Sequence, residues 1–207
     1  MRTRVKVCGI TRESDALAAA QHGADAVGFI FWRPSPRFVE AERAGSIAAL
    51  LPPFVTPVCV FVNPTAEEVR AVLRQVPWAT LQFHGEEPPE FCAQFGRRYV
   101  KAARMRPDLD LIRYAAQYAG AAGWLIDTFD ESSYGGTGAR FDWNLLPRDL
   151  GGPWILSGGL TVNNVGDAVR RLRPWGVDVS SGVETEKGIK DAQMIAAFMS
   201  GVRNADL

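Results

Sequence analysis

The sequence is short of the residues and patterns that define several large classes of protein. Its 207 residues include two histidines, and 23 Lys and Arg balance 23 Asp and Glu. No Lys/Arg-rich run accompanies this neutral charge, so we expect neither a nucleic acid nor an anionic membrane as a partner. Nowhere do about 18 apolar residues follow one another, and the N-terminus has no apolar signal core. We therefore expect a cytoplasmic protein that acts on a small molecule.

Cysteines and histidines are also too few and too widely spaced for a metal site or a disulfide framework. The three cysteines, Cys8, Cys59 and Cys92, are an odd number, and with His22 and His84 they match no zinc-ligand spacing. A metal-dependent epimerase would need a set of His and carboxylate ligands that these two histidines do not supply. We expect no metal and no disulfide.

Eight short β-branched segments recur along the chain, with segments of helical character between them. The predicted strands lie at residues 5–10, 26–31, 57–62, 80–85, 99–103, 123–128, 154–159 and 176–181. Helices are predicted at residues 13–21, 66–76, 90–95, 109–118 and 162–172, with Thr11 and Thr161 as N-caps.

The spacing of these segments favours one closed barrel. Each unit averages about 24 residues, close to the minimum for a βα repeat. No linker or low-complexity run divides the chain, so residues 1–207 are expected to form a single α/β domain, a (β/α)8 TIM barrel. An open doubly wound sheet is the alternative.

Polar residues collect where the predicted strands end, which is the face that carries the active site in such barrels. Cys8 ends the first strand, His84 lies at the end of the fourth, and Asp127 lies near the end of the sixth. Period-2 alternation places Lys6 with Cys8 on the face that points into the barrel. Asp178 is expected to pair with Lys6 or Lys101 there, because a lone buried carboxylate is costly.

Two loops rich in glycine and serine follow the seventh and eighth strands. They contain Gly158, Gly159, Ser181 and Gly182. Glycine lets backbone N–H groups approach an anion closely, and the loops at these two positions form the usual phosphate site of the fold. The alternative is that these glycines only turn each strand toward the next helix.

A set of motifs carries a family resemblance. They are KVCGIT (6–11), SPR (35–37), LQFHG (81–85), LIDTF (125–129), GGTG (135–138), LSGGL (156–160) and GVDVSSGVE (176–184). In this order and at these spacings the chain resembles the phosphoribosylanthranilate isomerase family over nearly its whole length. The resemblance implies a cofactor-free barrel of tryptophan biosynthesis. It also implies an Amadori rearrangement of N-(5-phosphoribosyl)anthranilate to 1-(2-carboxyphenylamino)-1-deoxyribulose 5-phosphate.

The resemblance also implies roles for individual residues. Asp127 matches the general acid, which must hold a proton near neutral pH and deliver it to the furanose oxygen. Cys8 matches the general base that takes the C2 proton, and its thiol needs a nearby positive charge to ionise. Arg37 matches the residue that binds the anthranilate carboxylate. His84 and Asp178 are expected to bind or orient the substrate.

Three of these residues also have a plain structural interpretation. Cys8 would be a small buried apolar side chain, as we expect for Cys59 and Cys92. Arg37 would be a surface arginine in a proline-flanked loop, and His84 a hydrogen-bonded residue at a strand end.

Two rival functions remain open. The first is the histidine-pathway aminosugar-phosphate isomerase, which we expect to carry a carboxylate where this chain has Cys8 and to need a second phosphate loop. The second is a non-catalytic sugar-phosphate-binding barrel, which loss of Cys8 or Asp127 would have indicated. The polar segment 130–140 is predicted to be a mobile loop over the substrate. A monomer is the default expectation.

Overall fold

Eight parallel strands close into a barrel in a computed structural model that describes residues 2–128, 141–147 and 150–207. The barrel strands are β1 (Arg4–Cys8), β2 (Ala26–Ile30), β3 (Thr56–Phe61), β4 (Thr80–Phe83), β5 (Tyr99–Met105), β6 (Gly123–Thr128), β7 (Trp154–Leu156) and β8 (Gly176–Val179). Each strand pairs with the next along the chain, and β8 pairs with β1 with Lys6 beside Asp178. The strand count and the (β/α)8 barrel are confirmed, and the open doubly wound sheet is wrong.

Seven α-helices are described, and most of them join consecutive strands. They are α1 (Glu13–Gln21), α2 (Ala41–Ala48), α3 (Ala66–Gln75), α4 (Pro89–Ala93), α5 (Leu111–Gln117), α6 (Val165–Leu172) and α7 (Ala192–Ala205). None of the helices in the described part of the chain is long and apolar enough to cross a membrane. After β8 an unpredicted antiparallel hairpin follows, formed by β9 (Glu184–Glu186) and β10 (Ile189–Lys190).

Helix ends follow local chemistry that the sequence revealed only in part. Helix α3 begins with a capping box, in which Thr65 Oγ1 accepts from Glu68 N at 3.2 Å and the Glu68 carboxylate accepts from Thr65 N. The predicted caps Thr11 and Thr161 are wrong. The Thr11 hydroxyl donates to Gly188 O instead, and α6 begins after Asn164.

The core lies mainly between the barrel and its helices. Phenylalanine rings in this core stack on one another outside the strands. The ring centroids are 5.4 Å apart for Phe31 and Phe61, and 6.1 Å apart for Phe61 and Phe83. Because side chains alternate along a strand, the neighbouring positions face the barrel interior. There, Cys8 packs with Val58 and Val60.

A buried ammonium group holds the loop that follows β4. Lys101 is fully buried on the outer side of the barrel, and its Nζ donates to Gly85 O at 2.6 Å and to Glu87 Oε2 at 3.1 Å. Glu87 Oε1 accepts from the backbone N–H groups of Asn63 and Gly85. Lys101 therefore does not pair with Asp178, and it fixes the loop that carries His84.

This cluster predicts a large stability loss when only one partner is removed. Lys101→Met leaves the Glu87 carboxylate buried without its cation, and we expect the free energy of unfolding to fall by about 3–5 kcal/mol. Urea unfolding followed by circular dichroism measures the change. Arg74→Ala, which breaks an exposed ion pair with Glu67, is the matched control and is expected to change stability by less than about 0.5 kcal/mol. Equal losses in both variants would contradict the prediction.

Candidate active site

The carboxyl ends of the parallel strands bring the three predicted strand-end residues, and two serines beside them, to one face of the barrel. Cys8 is the last residue of β1, His84 follows β4, and Asp127 lies one residue before the end of β6. Ser157 and Ser180 follow β7 and β8. Cys8, His84, Asp127 and Ser157 are buried. Their clustering follows from closure of the barrel.

The Cys8 thiol lies inside the barrel in a space that a glycine of β2 keeps open. Gly28 pairs with Cys8 across the strands, and a Cβ atom on Gly28 would lie 2.7 Å from Cys8 Sγ and 3.1 Å from Lys6 Cε. A larger residue at position 28 would displace both side chains. Burial raises the pKa of the Cys8 thiol, and the nearby Lys6 charge opposes that rise.

Lys6 and Asp178 form a buried ion pair beneath the thiol. Lys6 Nζ lies 2.7 Å from Asp178 Oδ1, and both side chains are 7% exposed. Burial is the largest single effect and lowers the pKa of Lys6, but the charges and hydrogen bonds of Asp178 and Cys8 together outweigh it, and the net pKa is raised. Lys6 is therefore cationic at neutral pH. Of the two predicted partners of Asp178, the structure selects Lys6.

The Asp127 carboxylate is held by one side chain and one backbone group. Gln82 Nε2 donates to His84 Nδ1 at 3.0 Å, so the imidazole carries its hydrogen on Nε2 and donates it to Asp127 Oδ2 at 3.1 Å. Thr128 N donates to Asp127 Oδ1 at 2.8 Å. His84 thus makes the hydrogen bonds of the plain structural interpretation, and it also orients the predicted acid.

The loop after β7 joins the thiol side of the site to the carboxylate side. The Ser157 hydroxyl donates to Asp178 Oδ2 at 3.4 Å. The next residue, Gly158, has φ +83°, and a Cβ atom there would lie 3.1 Å from Asp127 Oδ1 and 2.9 Å from Thr128 N. A chain of contacts therefore runs from Cys8 through the Lys6–Asp178 pair to Asp127.

The two small-residue loops touch each other, as a shared anion site requires. A Cβ atom on Gly182 would overlap Leu160 O, and Gly159 has φ +60°, the left-handed region that favours glycine. Asn164 ties the first loop together, because its Oδ1 accepts from Thr161 N and its Nδ2 donates to Gly159 O, each at 2.9 Å. Asn164 lies in the segment SGGLTVNNV, where no sequence signal distinguishes it from its neighbours.

Arg37 is buried beside the end of β1, so it is not a surface arginine. Its Nε and Nη2 donate to the two carboxylate oxygens of Glu184, each at 2.8 Å. Lys190 Nζ lies 2.7 Å from Glu184 Oε1. The sequence drew attention to Arg37 alone. Glu184 ends the GVDVSSGVE motif and could have been noticed there, whereas nothing in the sequence pointed to Lys190.

Two predictions fall outside this geometry. The predicted mobile loop at residues 130–140, with its GGTG motif, lies outside the described residues. Cys59 and Cys92 are free thiols buried in the main hydrophobic core, whereas Cys8 packs in a separate small cluster. Burial raises the pKa of Cys92 to about 12. Within the described ranges, no group of three His, Cys, Asp or Glu side chains is placed to hold a metal ion.

Comparisons with known proteins agree with this barrel. A family model described as N-(5'phosphoribosyl)anthranilate (PRA) isomerase matches residues 5–201. N-(5'-phosphoribosyl)anthranilate isomerase of Nitrosospira multiformis is 56% identical over 202 residues, covering 98% of this chain and 97% of that protein. The same-named protein of Dechloromonas aromatica is 53% identical over 206 residues, covering 100% of this chain and 99% of that protein.

Solved structures give the same result. Phosphoribosyl anthranilate isomerase from Thermotoga maritima has a TM-score of 0.89 and 40% identity, covering 98% of this chain and 99% of that chain. A second structure of such an isomerase, in complex with reduced 1-(o-carboxyphenylamino)-1-deoxyribulose 5-phosphate, has a TM-score of 0.85, 40% identity and the same coverage. With a matching family model over residues 5–201 and relatives above half identity along its full length, the chain belongs to the phosphoribosylanthranilate isomerase family.

Proposed function

We propose that this isomerase converts N-(5-phosphoribosyl)anthranilate into 1-(2-carboxyphenylamino)-1-deoxyribulose 5-phosphate by general acid–base catalysis, a step of tryptophan biosynthesis. One observation carries the proposal: a buried thiol, Cys8, and a buried carboxylate, Asp127, connected through the Lys6–Asp178 pair and the loop after β7. The relative crystallised with a reduced ketose-phosphate of the same skeleton supports this class of substrate.

Asp127 acts as the general acid in the first step. Each of its carboxyl oxygens accepts one hydrogen bond in the structure, from His84 or from Thr128 N, and each keeps a second lone pair for a proton. Asp127 delivers that proton to the furanose ring oxygen. The C1–O bond then breaks, and the nitrogen lone pair forms the C1=N double bond of a Schiff base.

Cys8 acts as the general base in the second step. Its thiolate takes the proton from C2, the electron pair of that bond forms C1=C2, and the iminium nitrogen regains its lone pair. The Lys6 ammonium and the substrate's own iminium charge stabilise the thiolate. The enolamine then loses the C2 hydroxyl proton and gains one at C1, so the ketose has the same composition as the substrate. These steps use no metal and no cofactor.

The remaining site residues bind the two ends of the substrate. Arg37 binds the anthranilate carboxylate, while His84 and Asp178 orient the reacting sugar. The backbone of Gly158, Gly159, Ser181 and Gly182 binds the phosphate, and the N-terminus of α6 adds its partial positive charge. Contact between the two loops supports one shared phosphate site.

We also propose that residues 1–207 form a single domain, and that the protein is a cytoplasmic monomer whose partner is its phosphorylated aminosugar substrate. Multi-angle light scattering tests the monomer, because a mass of two chains would overturn it. Assaying the histidine-pathway aminosugar phosphate tests the rival isomerase, and turnover of any substrate overturns the non-catalytic barrel.

Loss of either proposed catalytic group is expected to remove most of the activity. Cys8→Ala and Asp127→Asn should each lower kcat by roughly 10²-fold or more, the usual contribution of a general base or acid. The assay follows the loss of anthranilate fluorescence as enzymatically generated phosphoribosylanthranilate is consumed, in buffer that contains a metal chelator.

Cys59→Ala is the matched control, because Cys59 is a buried core thiol outside the site. We expect it to lower stability slightly and to leave kcat within about twofold. Near-normal turnover by either Cys8→Ala or Asp127→Asn would remove that residue from the mechanism. An inert, well-folded wild-type protein would instead remove the substrate assignment.

The charge of Lys6 should be visible in the pH dependence of the rate. The base works deprotonated, so kcat/KM is expected to rise with pH as Cys8 loses its proton. The Lys6 charge opposes the rise in pKa that burial causes at Cys8. Lys6→Met removes this charge, so the thiol pKa rises and the ascending part of the pH profile shifts to higher pH. At a fixed pH below the thiol pKa, kcat/KM is expected to fall about tenfold for each unit by which that pKa rises. Lys6→Arg, which keeps the charge, should shift the profile less, and a pH-independent loss in Lys6→Met contradicts this role.

Separation of the two loops should weaken binding of the phosphate. Gly182→Ala places a methyl group against Leu160 O and pushes the loops apart, so we expect KM to rise about tenfold and inhibition by inorganic phosphate to weaken in parallel. Gly120→Ala is the control, because its Cβ atom would meet only the Tyr99 hydroxyl region at 3.4 Å or more. If Gly182→Ala binds phosphate like the wild type, the phosphate lies elsewhere.

A further inference from the structure

Glu184 lies at the centre of a buried charge cluster that includes the proposed carboxylate-binding arginine. It is the first residue of β9, directly after the 3-10 turn Ser181–Val183 of the phosphate loop. The side chains of Arg37 and Glu184 are 6% and 4% exposed. Burial by itself raises the pKa of Glu184, but hydrogen bonds from Arg37 and the charge of Lys190 outweigh it and the net pKa is lowered. Glu184 is therefore a carboxylate at neutral pH.

The geometry of the Arg37–Glu184 pair leaves one edge of the guanidinium for a ligand. Glu184 engages Nε and Nη2, which form the side edge of the planar group. The end edge, formed by Nη1 and the second hydrogen of Nη2, has no hydrogen-bond partner among the described residues. Arginine has five N–H donors in a fixed fork, so this edge can still bind a second carboxylate through two parallel hydrogen bonds.

The charge balance of the cluster also calls for an anion. Arg37 and Lys190 bring two positive charges, and Glu184 brings one negative charge that both of them share. The cluster is left with one net positive charge in a buried place. A carboxylate ligand neutralises it without any change in the protein.

Packing leaves the Arg37 side chain little freedom once Glu184 holds it. Its Cδ lies over Gly9, where a Cβ atom would come within 2.5 Å, and Gly9 directly follows Cys8. Lys190 also donates to Ser180 O at 3.1 Å, which connects the cluster to the phosphate loop. Glu184 therefore links the carboxylate site, the residue next to the proposed base and the phosphate site.

We infer that Glu184 is a positioning residue, which fixes the Arg37 guanidinium with its end edge toward the aromatic carboxylate of the substrate. The inference rests on the proposed function, because it takes Arg37 as the partner of that carboxylate. Without Glu184 the arginine would regain several side-chain rotamers, and the carboxylate would meet its donors in fewer of them. Glu184 itself does not touch the substrate.

The test compares two ligands that differ only in the carboxylate. One is reduced 1-(o-carboxyphenylamino)-1-deoxyribulose 5-phosphate, and the other is the same compound without the carboxyl group. Calorimetric titration gives the ratio of their Kd values, which we call the carboxylate preference. For the wild type we expect a preference of about 10- to 100-fold, typical of hydrogen bonds between charged groups.

Glu184→Gln keeps the shape of the side chain but removes its charge and turns one acceptor into a donor. We expect its carboxylate preference to fall about tenfold, while its Kd for inorganic phosphate stays within about threefold of the wild-type value. General damage to the site would weaken both ligands alike and leave the ratio unchanged. Glu184→Asp, which keeps the charge on a shorter side chain, gives a second measurement with an intermediate preference expected.

Two further variants separate the inference from the function on which it rests. Arg37→Ala should abolish the carboxylate preference, and if it does not, the proposed role of Arg37 is wrong. If Arg37→Ala abolishes the preference but Glu184→Gln and Glu184→Asp both keep it, the positioning role of Glu184 is overturned. Glu40→Gln, which breaks the exposed Arg33–Glu40 ion pair, is the matched control and should retain the wild-type preference.

Discussion

The ion pair between Lys6 and Asp178 is the contact on which the rest of the site depends. It lies at the seam where β8 pairs with β1, so it exists only once the barrel is closed. On one side, Lys6 supplies the charge that most strongly opposes the rise in the pKa of Cys8, whose thiol also packs against Val58 and Val60. On the other side, Asp178 accepts a hydrogen bond from Ser157 and so reaches the loop beside Asp127. At the seam of the barrel, the ion pair therefore joins the part of the site that contains Cys8 to the part that contains Asp127.

Two more buried charge clusters hold the loops around that pair. Lys101 and Glu87 anchor the loop after β4 from the outer side of the barrel, and Arg37, Glu184 and Lys190 join the loop after β2 to the hairpin after β8. Buried ion pairs contribute little net stability compared with apolar packing, because both charges must leave water. Their value here lies in fixed geometry, since each cluster keeps a polar side chain of the site in one orientation.

Much of the architecture could be predicted because buried parallel strands are short runs of β-branched and apolar residues. All eight strands were found in this way, and the first predicted helix coincides with Glu13–Gln21. Helix ends were less predictable: the hydroxyl of Thr11 bonds to Gly188, a residue from the far end of the chain. The β9–β10 hairpin has only three and two residues in its strands, too few for any periodic pattern to identify it.

The sequence by itself determined the family, the barrel and the chemical identity of the groups at the strand ends, because motif spacing and strand periodicity are local properties of the chain. Only the tertiary structure decided which charges meet. Asp178 pairs with Lys6 across 172 residues and not with Lys101, which faces the helices on the other side of its strand. Arg37 donates hydrogen bonds to Glu184, which lies 147 residues further along the chain. Such partners are set by closure of the barrel and by the face on which each side chain lies, and neither of these is decided by residues close together in the sequence.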